Sequence, residues 1–347
     1  MAAVDQKEKA RTIADIARLA NVSPSTVSRA LSDSPLISAE TRGRIQAIAR
    51  EQNFTVHAGA QSLRLQRTQT LAAVVSASRP HGRTLTDPFL LELLGEIAAA
   101  AAGREYDLLL SESHAGGSDW HNRFLRSGRA DGMILIPRLS ERLREADALA
   151  TTGAPFVVWG PKVANQAYCS VGSDDYKGGK IATEHLIQLG RQRIALLGSD
   201  PECLEIKLRN DGYAAALAAA GRSVDPRYAV SAASTSQAGY EAMRRLLVQA
   251  PDLDAVVVMS DVMALGALEA LRTAGRSVPG DIAVVGYDDI SLAAYCSPPL
   301  TTVRQNVPAA GVLLVERLLA AIEGRPTPSV VLPVELVIRE SCGALNG

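Results

Sequence analysis

The chain has 347 residues, 47% apolar and 21% charged, a balance that suits a soluble globular protein of two or three domains. It excludes a mostly disordered, collagen-like or bilayer-spanning chain: no apolar run approaches the roughly 18 residues of a membrane helix, and without a signal-peptide core at the N-terminus a cytoplasmic protein is expected. The net charge of −1 hides an asymmetry, because residues 1–67 carry ten Lys/Arg against six Asp/Glu while the remainder is net acidic, and a basic head on an acidic body points to a polyanion.

Residues 12–52 read as three short helices. Thr12 caps the first, with Asp15 favouring the positive end of its dipole. Ile13, Ile16, Ala17 and Leu19 form its apolar face, which ends near Asn21. Ser23 caps the second helix, and Pro24 takes the first helical position, where a missing N–H costs nothing. Val27, Ala30 and Leu31 share one face. Ser38 caps the third, with Ile45, Ile48 and Ala49 at helical spacing. Two helices joined by a tight Ala20-Asn21-Val22 connection, with a third packed behind, describe a helix-turn-helix domain.

Residues 53–69 have few apolar anchors and read as a linker, with Leu63 as the candidate for a large exposed apolar residue. From residue 70 the pattern becomes α/β. Apolar runs at 71–75, 106–110, 132–136, 155–159, 193–197, 254–259 and 281–287 alternate with helical stretches. They are Val/Ile/Leu runs without alternation, the mark of parallel strands buried on both faces. Too many units are present for one sheet. Two doubly wound subdomains are predicted, one over about 70–160 plus part of 290–325, the other over about 164–290 plus 326–342.

The most specific strings are Thr12-Ile13-Ala14-Asp15-Ile16-Ala17, followed by Ala20-Asn21-Val22-Ser23-Pro24-Ser25-Thr26-Val27-Ser28-Arg29-Ala30-Leu31. Further on come Gly178-Gly179, Arg209-x-x-Gly212-Tyr213, Met263-Ala264-Leu265-Gly266, Val284-Val285-Gly286-Tyr287-Asp288-Asp289 and Pro299-Leu300-Thr301-Thr302-Val303. In these residues the sequence resembles the LacI/GalR family of transcriptional regulators over roughly 11–342. The resemblance implies a DNA-binding domain at 1–54, a hinge at 55–69, and an effector-binding and dimerisation body at 70–342. That body would be similar to periplasmic sugar-binding proteins.

The second helix is the predicted DNA reader, because an α-helix fits the major groove and its first residues meet base edges. Pro24 and Ser25 stand there, and Arg29 one turn on has the fork that suits guanine. Thr12, Ser23, Thr26 and Ser28 supply hydroxyls for phosphate, or only cap and solvate the helices. By resemblance the linker becomes a hinge helix that wedges Leu63 into the minor groove, with Arg64 beside it. The sequence departs from the family here: Val56 and His57 replace the usual Pro-Asn, and Gly59 adds entropy.

Sugars are held by carboxylates and amides that fork onto hydroxyls, with an aromatic face against the ring. Arg209 and Asp288 match the family's effector-binding arginine and aspartate. Asp87, Phe89, Trp159, Glu205, Ser260 and Asp261 fall at or beside strand ends, the default sites in such sheets. Leu90 stands where purine-responsive members carry a second aromatic, Ser234 where lactose-responsive members carry a tryptophan, Ser260 for a frequent asparagine, and Gly160 for an aspartate.

Enzyme signatures are missing: no G-x-x-x-x-G-K-[ST], G-x-S-x-G or H-E-x-x-H occurs. Four cysteines without a C-x-x-C pair read as free thiols, and five histidines show no metal spacing. No metal or cofactor is expected. The predicted function is a repressor that binds a pseudo-palindromic operator as a homodimer and is released by a small glucose-type sugar or glucoside. A purine-corepressed regulator and a sugar-binding transport component are the alternatives. The C-terminus carries no leucine heptad, so a dimer rather than a tetramer is predicted.

Overall fold

A computed structural model describes residues 12–54, 67–76, 85–113, 120–137, 140–198, 200 and 203–344. The chain divides into two compact units between Thr68 and Gln69.

The first unit holds α1 (Ile13–Ala20), α2 (Pro24–Leu31) and α3 (Ala39–Glu51). Each helix begins on a hydroxyl. The Thr12, Ser23 and Ser38 side chains accept from the amides of Asp15, Thr26 and Thr41 at 3.2, 3.2 and 3.3 Å. Asp15 returns the bond by accepting from the Thr12 amide at 3.0 Å, completing a capping box. Asn21 closes α1 in the left-handed region, at φ 52°. Ile16, Ala17, Ala20, Val27, Ala30 and Ile45 form one buried cluster. The expected helix-turn-helix is the observed one.

The second unit contains two six-stranded sheets. The first comprises β1 (Thr70–Ser76), β2 (Asp107–Ser113), β3 (Gly132–Ile136), β4 (Phe156–Trp159), β5 (Ser170–Ser173) and β11 (Val330–Leu332), in the order β11-β5-β4-β3-β1-β2 and all parallel. The second comprises β6 (Ile194–Leu197), β7 (Ala229–Val230), β8 (Ala255–Val258), β9 (Ala283–Asp288), β10 (Thr301–Gln305) and β12 (Val334–Val337), in the order β12-β10-β9-β8-β6-β7. Only β12 runs antiparallel to its neighbour. The helices are α4 (Pro88–Ala102), α5 (Ser140–Ala150), α6 (Asp175–Gln188), α7 (Leu204–Ala219), α8 (Ser236–Gln249), α9 (Asp261–Thr273) and α10 (Val307–Ile322). They cover the sheets, as parallel strands buried on both faces require.

The strand pairing moves the predicted lobe boundaries. The first lobe does not end near 160, because Ser170 and Val171 pair with Val158 and Trp159. β5 reads Ser-Val-Gly-Ser, too polar and short to register as an apolar run, although every residue of it is buried. Residues 301–305 join the second sheet, so the returning part of the first lobe starts with α10. Residues 330–332 pair in the first sheet, although 326–342 were assigned to the second lobe. The chain therefore passes between lobes after β5, after β10 and between β11 and β12.

Helices α6 and α7 meet at glycines. A Cβ on Gly179 would stand 2.0 Å from the Arg209 carbonyl oxygen, and one on Gly212 2.1 Å from that of Tyr176. This contact fixes the starts of both helices, which carry Asp175, Glu205 and Arg209. Gly212→Ala should force the backbones apart and lower stability by about 1–3 kcal/mol, read as a lower urea midpoint; an unchanged midpoint would contradict this packing.

Candidate functional site

A cavity of about 70 Å³ lies between the two lobes. The carboxyl ends of β1, β3, β4 and β5 face the first turns of α6 and α7 and the end of β10 across it. These are the strand ends at which open α/β sheets place ligands. Phe89 and Trp159 form an aromatic wall, their ring centroids 6.1 Å apart and tilted by 41°. Leu90, Ile136 and Ile206 extend it.

The opposite side is polar. Arg209 is buried, donates from Nε to Asp175 at 2.8 Å and from Nη1 to the Met259 carbonyl at 2.7 Å, and lies 3.9 Å from Asp288. Its guanidinium stacks on the Tyr287 ring at 3.5 Å, and the Tyr287 hydroxyl donates to Asp175 at 3.2 Å. Burial works against the arginine charge, but Asp175, Tyr287 and Asp288 outweigh it and hold the proton more firmly than usual. Ser173 Oγ, on the cavity wall, is buried and has no hydrogen-bond partner among the described residues. Glu205 reaches in from the first turn of α7 and accepts from the Cys203 thiol at 3.2 Å. Burial, and then the nearby Asp175 charge, push its carboxyl above the usual 4.5.

Of the predicted effector residues, Phe89, Trp159, Glu205 and Arg209 are brought together on this cavity. Asp87, Ser260, Asp261 and Asp288 do not line it, and each has a structural duty. Asp87 caps α4 by accepting from the Leu90 amide at 3.3 Å, and Ser260 caps α9 by accepting from that of Met263 at 3.4 Å. Asp261 is fully buried and accepts from Thr302 Oγ1 at 2.6 Å and the Ile290 amide at 3.0 Å. Asp288 stands behind the wall, accepting from Gln305 Nε2 at 2.8 Å. It and Asp289 adopt φ 114° and 58°, a strained path for non-glycine residues that these carboxylate contacts hold in place. Ser173, Asp175 and Gln305 line the cavity and were missed. The strand-end rule finds them once β5 and β10 are recognised. Leu90 and Ser234, noticed in the sequence as departures from the family, also line it.

In the first unit, α2 turns Val27 and Ala30 inward and exposes Pro24, Ser25 and Arg29, with Thr26 and Ser28 half-buried. The Ser23 hydroxyl lies 2.8 Å from both the Ser25 and Thr26 hydroxyls. Thr12 is exposed at the start of α1. Leu63 and Arg64, like the departures at Val56, His57 and Gly59, lie outside the described residues.

Residues 12–56 match bacterial regulatory proteins of the lacI family, and residues 183–342 match the periplasmic binding protein-like domain. The transcriptional regulator CelR of Thermobifida fusca is 33% identical over 348 residues, covering 97% of this chain and 99% of its own. The chain belongs to the lacI family. Among solved structures, a lac repressor dimer bound to operator and the anti-inducer ONPF is similar with a TM-score of 0.84 at 27% identity, covering 95% of this chain and 98% of that one. A CelR–cellobiose complex is similar with a TM-score of 0.72 at 32% identity, covering 96% and 100%. This lacI-family chain is a DNA-binding transcriptional regulator. Among its described residues no helix is long and apolar enough to cross a membrane.

The raised Glu205 carboxyl gives this family member a pH signature. Between 4.5 and its raised value the folded chain keeps a proton that the unfolded chain has lost, so stability falls as pH rises. Glu205→Gln removes that contribution. Its stability relative to the native chain should rise with pH, by up to about 1.4 kcal/mol per unit, in urea titrations run from about pH 5 to 8. A difference that stays constant with pH would place an ionised carboxylate in the fold.

Proposed function

We propose that this regulator is a repressor whose paired heads hold a pseudo-palindromic operator and release it when a small sugar fills the cleft. The observation that carries the reading is the cavity wall. The Phe89–Trp159 pair shares the cavity with Ser173 Oγ, which has no hydrogen-bond partner among the described residues, and with the Arg209 guanidinium. An apolar ring face with a few converging hydrogen-bonding groups suits a pyranose. The cellobiose bound in the CelR complex supports a glucoside.

A homodimer, as in the operator-bound lac repressor structure, gives two-fold protein symmetry that calls for two-fold operator symmetry. Helix α2 enters the major groove, with Ser25 and Arg29 towards base edges. Ser23, Thr26, Ser28 and Thr12 serve phosphates where their caps allow. Residues 55–69 form the hinge, from which Leu63 wedges into the minor groove and Arg64 meets the backbone. The sugar weakens operator binding only by its preference for the arrangement that binds DNA poorly, so operator weakens sugar binding by the same factor. The chain works in the cytoplasm and carries no catalytic step. A purine is disfavoured: Leu90 and the tilted aromatic pair offer no parallel slot for a flat base.

Fluorescence anisotropy on a DNA fragment from upstream of the chain's own gene tests the reading. Cellobiose or glucose should release the fragment; tightening by hypoxanthine would make the chain a corepressed regulator instead. Arg29→Ala should cost about 1–3 kcal/mol of specific binding and leave a salt-sensitive remainder. Wild-type operator affinity in that variant would move the reading helix elsewhere. Trp159→Ala should raise the sugar concentration needed for release by about tenfold or more.

A further inference from the structure

We infer that the cleft selects an uncharged, hydroxyl-rich ligand against its phosphorylated or carboxylated form, and that Glu205 is the residue that sets this preference. The inference rests on the sugar-effector reading and narrows it.

The charges on the cavity are few. Asp175, Glu205 and Arg209 line it together with the Cys203 thiol, and Arg209 is its one cation among the described residues. That cation is already committed. Asp175 holds Nε, the Met259 carbonyl holds Nη1, Asp288 stands 3.9 Å away, and Tyr287 covers one face. Two carboxylates thus answer one guanidinium before any ligand arrives. Nη2 remains as a hydrogen-bond donor, not as a net positive charge.

Glu205 belongs to the second lobe but reaches the first. Its Oε1 lies 3.6 Å from where a side chain on Gly160 would begin. Gly160 leaves that space open, so the carboxyl stands among groups from both lobes. Asp175 on α6, and Arg209 and Cys203 around the start of α7, are the charged or titratable groups that face it. Asp175 is occupied by Arg209 and Tyr287. Glu205 is therefore the acid that can turn towards a ligand.

The Glu205 carboxyl accepts from the Cys203 thiol and can accept from a sugar hydroxyl in the same way. Ser173 Oγ and Arg209 Nη2 supply further bonds without leaving an unpaired charge in the cleft. A phosphate or carboxylate in the same place adds a negative charge beside Asp175, Asp288 and Glu205. Screening by salt is weak at a buried site. A role for Glu205 confined to the positive end of α7 predicts no discrimination between ligands, and so gives the test its contrast.

Isothermal titration of the full chain with matched pairs tests the inference: cellobiose against cellobionate, and glucose against glucose 6-phosphate and gluconate. For the neutral sugar that binds, each anionic partner should bind at least about 100-fold more weakly. Glu205→Gln keeps the shape and an acceptor oxygen but removes the acid. It should narrow the gap by about tenfold, through tighter binding of the anion relative to its neutral partner. An anion that binds wild type within tenfold of its neutral partner overturns the selectivity. An unchanged gap in Glu205→Gln overturns the role of Glu205. If no compound of either kind binds or releases operator, the sugar reading falls, and this inference with it.

Discussion

The ion pair between Arg209 and Asp175 joins the first turn of α6 to the second turn of α7, and both groups are 3% exposed. A buried guanidinium is tolerated only when its charge and donors are answered. Asp175, the Met259 carbonyl, Asp288 and the Tyr287 ring do so here, drawing in the ends of β8 and β9. One side chain thereby sets the positions of two helix starts and two strand ends. The rest of the polar cleft hangs on this arrangement. Glu205 sits one turn before Arg209 on α7, and Gln305 is held through Asp288. Glycines at 179 and 212 make it possible, since any side chain there would separate the helices that bring the pair together.

The two lobes are assembled from an interlaced chain. Neither sheet is complete until the C-terminal segment returns, because β11 and β12 are the outermost strands of different sheets. Helix α10 packs on α4 and the first sheet between those returns. The polypeptide thus passes between lobes three times beside the cavity. Such crossings suit a hinge, because a few residues absorb the change in angle while each sheet keeps its own core.

The head follows different physics. Three short helices bury a small core, so much of their definition comes from local caps: Thr12 with Asp15, Ser23 with Thr26, Ser38 with Thr41. Capping turns a sequence of hydroxyls into fixed helix starts and leaves the outer face of α2 polar and exposed.

The sequence alone determined what is local or periodic. Caps three residues from their amides, apolar helix faces and uninterrupted Val/Ile/Leu strands were all legible, and so were the ordered strings that carry the family. Phe89, Trp159 and Glu205 were legible as cavity-lining residues because they fall at or beside strand ends that the pattern shows, and Arg209 because it matches the family's effector-binding arginine. Only the tertiary structure decided the remainder. β5 and β10 are short and partly polar, so their places in different sheets, and with them Ser173, Asp175 and Gln305, come from long-range pairing. Asp261 and Asp288 carry the same chemistry as a ligand-binding carboxylate. What makes them structural is a partner 41 residues away, Thr302, in one case and 17 residues away, Gln305, in the other. A carboxylate's role is set by which donors reach it, and those donors are brought there by the fold.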